Sequence, residues 1–330
     1  MRKLRYALAT AALAGATLTA THQVHPSPTA ATAAVDPVIN SPYLYLGLYA
    51  QPDPAKIIPA TGVKAYTISF INSRTKGTCD PTIEVNSGPN ELTGAKPLVD
   101  RIRAAGGDVI LSVGGWGGNK LGENCTTAEA LAAAYQKVID AYQLKALDID
   151  IEDQEIAIQA ARERVVAALK IVKQKNPAVK TVVTMSNAKD ALPAVAQALI
   201  TKARETDAGI DVFTLMPFDN GNASTDMAAF TKTSVDRLKE AVKTAFGLTD
   251  DQAYRKVGLS SMNGITDPPY LEKVTLDAWK QIVAWAQEKH LGRVSFWSVN
   301  RDYGCGAGPT CSGIPQNDWD FTKVLGTYQG

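Results

Sequence analysis

From Ser41 onward the chain alternates short apolar runs, rich in β-branched and aromatic residues, with longer stretches of helical period. The strand windows fall at 43–49, 65–71, 108–113, 146–151, 181–185, 212–216, 257–261 and 293–299, and helical windows fall at 128–142, 155–175, 191–205, 226–246 and 276–289. About eight strand–helix units in one chain predict an α/β fold, a single-domain (β/α)8 TIM barrel over 41–330. The competing arrangement is a doubly wound open sheet. It needs a Gly-rich phosphate turn after its first strand, and Ala50-Gln51-Pro52-Asp53-Pro54 supplies none.

One strand breaks the apolar rule. In Ala146-Leu147-Asp148-Ile149-Asp150-Ile151-Glu152, alternation puts Asp148, Asp150 and Glu152 on one face and Leu147, Ile149 and Ile151 on the other. With helices over the apolar face, the carboxyls point into the barrel, successive ones about 6–7 Å apart. Like charges in a confined interior repel and lose hydration, so at least one of the three is expected to keep a proton near neutral pH. Glu152, at the strand's C-terminal end, is the candidate general acid. A solvated acidic edge strand and a Ca²⁺ or Mg²⁺ site are the competing readings, and the strictly apolar alternate positions argue against the edge strand.

Composition narrows the choices. With 45% hydrophobic and 20% charged residues the chain is too apolar for disorder, and its formal charge of +1 is evenly spread, which argues against a nucleic-acid partner. Arg2, Lys3 and Arg5 precede an apolar stretch over 6–20, followed by a Thr/Pro/Ala-rich spacer ending in Ala31-Thr32-Ala33. This pattern predicts a signal peptide over 1–33, a disordered lead-in over 34–40, and a secreted, extracellular product free of the membrane after cleavage. Removing 1–33 takes His22 and His25 with it and leaves His290, which disfavours His-based triads and multi-histidine zinc sites. No metal or cofactor is expected. Four cysteines in an exported chain suggest disulfides, read as Cys305 with Cys311 and Cys79 with Cys125.

The acidic strand resembles the DxxDxDxE motif of family-18 glycoside hydrolases, the chitinase family. Three further segments follow that family's order: Ser112-Val113-Gly114-Gly115 before Trp116 resembles its SxGG strand, Met216-Pro217-Phe218-Asp219 its MxYD strand, and Phe296-Trp297-Ser298 its last strand. The likeness covers essentially the whole chain after 1–33 and is greatest to small secreted bacterial chitinases. Two positions depart from the pattern: Lys145 replaces the first Asp, and Phe218 replaces the Tyr whose hydroxyl holds the substrate acetamide.

The resemblance implies a chitinase that cleaves β-1,4-linked N-acetylglucosamine polymers with retention, the substrate's own acetamide acting as nucleophile. Glu152 is then the acid, Asp150 orients the acetamide, and Asp148 shares a proton with Asp150. Trp297 floors the cleaved sugar's subsite, and Asp219, with Phe218 and Met216 of its motif, lies against the substrate. Trp116, Asn187, Tyr49 and Phe70 are further wall candidates. Chitin or chito-oligosaccharides are the expected partners of a monomer. An endo-β-N-acetylglucosaminidase acting on N-glycans and a lectin-like chitin-binding barrel are the rival functions.

Overall fold

The computed structural model describes residues 35–47, 51–86, 88–221, 226–305 and 310–330. Eight parallel strands follow one another around a curled sheet: β1 (Tyr43–Tyr45), β2 (Ala65–Ser73), β3 (Asp108–Gly114), β4 (Ala146–Ile151), β5 (Lys180–Ser186), β6 (Val212–Met216), β7 (Val257–Met262) and β8 (Arg293–Trp297). Each pairs with its sequence neighbour from β1 to β8. An antiparallel hairpin, Pro81–Val85 with Gly88–Asn90, extends the upper end of β2.

The seam between β8 and β1 is built differently. Val294 N–H reaches Ile39 C=O at 2.8 Å, and Ser295 Oγ donates to Ser41 C=O at 2.8 Å. The Asn300 amide then bridges both polar groups of Tyr45, accepting from its N–H at 2.8 Å and donating to its C=O at 2.9 Å.

Alternation sorts side chains as the sequence pattern requires. Leu147, Ile149 and Ile151 join Leu111, Val113 and Val183 in the layer beneath the helices, with Val165, Val166 and Leu169 packed against them. The barrel interior opens at its floor on a small apolar layer of Val38, Ile110, Ala146, Val182 and Val212. Val38 is 1% exposed, and Asp36 pairs with Lys180. Within 34–40, expected as a disordered lead-in, 37–40 form a turn under the strands, where Val38 packs with Ile110, Ala146, Val182 and Val212.

Helices Ala128–Tyr142 and Leu276–Lys289 begin where Thr127 and Thr275 side chains accept the N–H of Ala130 and Ala278. The helix expected over 155–175 is two pieces, Asp153–Ala157 and Gln159–Lys175, separated by extended Ile158. The break turns Glu155 inward while the longer piece lies along the outside. Cys79 pairs with Cys125 and Cys305 with Cys311. Among the described residues no helix is long and apolar enough to cross a membrane.

Candidate active site

The three carboxyls of β4 sit at three depths. Asp148, fully buried, accepts four donors: Tyr43 Oη at 2.8 Å and Ser112 Oγ at 2.7 Å on one oxygen, Thr184 Oγ1 at 2.7 Å and Arg293 Nη1 at 3.1 Å on the other. These donors come from β1, β3, β5 and β8, so one carboxylate ties four strands together. Asp150, 2% exposed, lies one step higher and its Oδ1 has no hydrogen-bond partner. Burial pushes its pKa well above the usual carboxylate range, and the charges of Glu152 and Asp148 add to the push.

Glu152 stands at the mouth, just past the end of β4, where Ser186 Oγ of β5 donates to its Oε2 at 3.1 Å. Burial pushes its pKa up to about 7, against the opposing pull of Lys120 and the Ser186 hydrogen bond. A carboxyl that is still half protonated near neutrality suits a general acid that must later act as a base.

Aromatic rings collect where β1, β2 and β8 come together. Trp297, half-buried at the end of β8, stacks on Phe70 with centroids 5.7 Å apart and planes 13° apart. Tyr43 and Tyr45 tilt against the same indole at 5.8 and 5.4 Å. Phe70 reaches it because β2 slips register between Ser69 and Ile71, re-aiming one side chain. A 440 Å³ cleft runs from Trp297 and Phe70 past Asn72 and Trp116 to Glu84 on the hairpin. Trp116, 73% exposed, forms its open wall.

Across the mouth, Met216 is buried and Phe218 is half-buried. Asp219, in the left-handed region at φ 55°, accepts from Asp267 N–H at 3.2 Å. Burial, with Asp267 second, pushes its pKa up to about 6, and its charge is felt at Glu152. Asn187, half-buried just past β5, donates its Nδ2 to Ser234 Oγ at 2.9 Å, pegging the end of that strand to helix Met227–Phe246. Tyr49 lies outside the described residues. Lys145, at the position of the missing Asp, pairs with Asp108 at 2.8 Å at the start of β4, away from the mouth.

Several residues of the site escaped the sequence reading. Tyr45 lies in the first strand window and belongs to none of the motifs. Lys120 and Glu155 belong to none of the motifs, yet they are 3% and 1% exposed. The only sequence signal was their place beside SxGG and DxDxE. Among the described residues no cluster of His, Cys, Asp and Glu is arranged to hold a metal.

No family model matches the chain. It is 27% identical over 320 residues to a probable bifunctional chitinase/lysozyme of Escherichia coli (strain K12), covering 88% of this chain and 34% of that protein. It is 28% identical over 289 residues to endochitinase 11 of Metarhizium anisopliae, covering 80% and 52%. The chain therefore spans about a third and about half the length of these curated relatives. Among solved structures, the catalytic domain of a hyperthermophilic chitinase from Pyrococcus furiosus superposes with a TM-score of 0.74 at 26% identity, covering 87% of this chain and 94% of that one.

Proposed function

We propose that this chain, similar in motif, sequence and fold to family-18 chitinases, is a secreted, monomeric glycoside hydrolase. It cuts β-1,4-linked N-acetylglucosamine polymers by a retaining, substrate-assisted route. The observation that carries the reading is the grading of one strand: Asp148 saturated with donors, Asp150 buried with a bare oxygen, and Glu152 just past the strand end, held by the Ser186 hydroxyl.

Direct displacement needs a second carboxylate across the sugar, about 5–5.5 Å from the acid. Asp150 lies on the same strand and below Glu152, which suits it to the acetamide instead. In the proposed reaction the acetamide oxygen attacks the anomeric carbon and the bond to the glycosidic oxygen breaks. Glu152 delivers its proton to that leaving oxygen. Asp150 accepts the acetamide N–H and stabilises the positive charge of the closed ring. Glu152, now a carboxylate, takes a proton from water, whose oxygen reopens the ring on the original face. Trp297 supports the distorted sugar from beneath.

Anomer-resolved product analysis of a chito-oligomer of about six sugars tests this, and β products with the N-acetyl group intact are expected. A thiazoline mimic of the closed ring should inhibit competitively, and a fully de-acetylated chain should resist cleavage. Inverted products, or brisk cleavage of the de-acetylated chain, would sink the mechanism. Cleavage of a high-mannose glycoprotein but not of the oligomer would give the N-glycan reading, and binding without turnover the lectin. Export rests on the signal-like 1–33 and the two disulfides. A culture-supernatant protein beginning at Ala34 is the expected result.

A further inference from the structure

The wall that carries Trp116 rests on a buried lysine. Lys120 is 3% exposed, and its Nζ donates to the carbonyl oxygens of Gly115 and Gly117, on either side of the Trp116 indole. From the same position the ammonium faces Glu155, Asp150, Glu152 and Glu123. Glu155, 1% exposed, accepts Gly122 N–H at 2.7 Å on one oxygen, and its other oxygen has no hydrogen-bond partner. The loop is pressed directly on the carboxylate strand: Gly115 N–H reaches Asp150 C=O at 2.9 Å, and a Cβ on Gly114 would stand 2.2 Å from that oxygen. A Cβ on Gly122 would stand 2.3 Å from the Glu155 carboxyl. Glycines at both points admit the close approach.

An ammonium is expensive to bury unless carbonyls and carboxylates surround it. This one is surrounded by both, yet an apolar side chain would fill the space under a loop equally well. We propose that Lys120 is a positioning residue for the reaction: its buried ammonium holds the Trp116 loop from beneath and directs a positive charge toward Glu152. One side chain then couples the shape of the cleft wall to the readiness of the acid.

The sign of its effect follows from the groups around Glu152. Burial raises that carboxyl's pKa; Lys120 and the Ser186 hydroxyl lower it; Asp219 from the loop after β6 and Asp153 from the helix after β4 raise it. Asp150 is the neighbouring carboxyl on the same strand, itself facing Asp148, Lys120 and Arg293. Removing the ammonium therefore moves Glu152 further up, and the basic limb of the activity profile with it. Removing the Glu155 carboxylate leaves the ammonium less opposed and moves the limb down.

The inference rests on the hydrolase reading, and the pH profile of kcat/KM on the six-sugar oligomer tests it. Lys120→Met is expected to shift the basic limb up by roughly 0.5–1 pH unit and to raise KM for oligomers long enough to reach Trp116. Glu155→Gln, which keeps an acceptor for Gly122, should shift the limb the other way. An unmoved limb in folded Lys120→Met, or in Glu155→Gln if Lys120→Met fails to fold, overturns the proposal. If the wild-type protein releases no product, the hydrolase reading fails by itself. The Glu152 carboxyl band, isolated by infrared difference against Glu152→Gln and titrated with and without Lys120, then decides the proposal without turnover. A band titrating at the same pH in both backgrounds rejects it.

Discussion

Asp148, Asp150 and Glu152 are neighbours on one strand face, and what separates them is the number of donors each meets. Asp148 has four, Asp150 has a bare oxygen, and Glu152 has the Ser186 hydroxyl. Replacing Glu152 by Gln keeps shape and removes the proton, so kcat should fall by roughly 10²–10⁴-fold while oligosaccharide still binds. Steady-state kinetics beside a binding isotherm measure both, and an unchanged kcat would remove Glu152 from the role. The acidic face was legible in the sequence because a period of two needs nothing beyond the strand itself. Lys120 and Glu155 were not, because their burial comes from a loop and a short helix folding over them.

At the scale of elements, strand windows and the capped helices emerged from local rules, while the hairpin Pro81–Asn90 and the break at Ile158 depend on contacts across the fold. The Cys79–Cys125 bridge joins the loop after β2 to the end of the short helix Leu121–Asn124, so it braces the cleft wall that Lys120 supports. Its two cysteines are 46 residues apart. Replacing both by Ser should cost about 2–4 kcal/mol of stability. Because neither cysteine is near Glu152's proton, KM for long oligomers should rise more than kcat falls. Denaturant titration and oligomer-length kinetics check this, and an equal loss in every parameter would argue for general unfolding.

For the whole molecule, the buried carboxyls set how stability depends on pH. Burial holds Asp150 well above its ordinary range, Glu152 and Glu155 at about 7, and Asp302 at about 6. The native state therefore keeps protons that the unfolded chain has released, and stability falls as pH rises from about 4.5 to about 7. Thermal unfolding should show a higher midpoint at pH 5 than at pH 8. Glu155→Gln removes one ionisation from that window, so it should flatten the slope and gain up to ~3 kcal/mol at pH 8. A midpoint that climbs steadily to pH 8 contradicts this balance.

The seam closed by Ile39, Ser41 and Asn300 has a thermodynamic consequence. Where other strand pairs share a ladder, the described bonds of β8 run to the segment just before β1, from Val294 N–H to Ile39 C=O and from Ser295 Oγ to Ser41 C=O, so transient opening of the ring should begin there. Tyr45 and Trp297 face each other across the top of that seam at 5.4 Å. A sugar lying over both rings can bind only the closed ring, so occupancy must suppress opening by mass action, by about 2.7 kcal/mol at a hundredfold excess over Kd. Amide exchange at Tyr45 and Val294 should be faster than at Ile149 in the free protein. It should slow selectively when oligomer is added to Glu152→Gln, making the weakest joint of the barrel the one that substrate itself fastens.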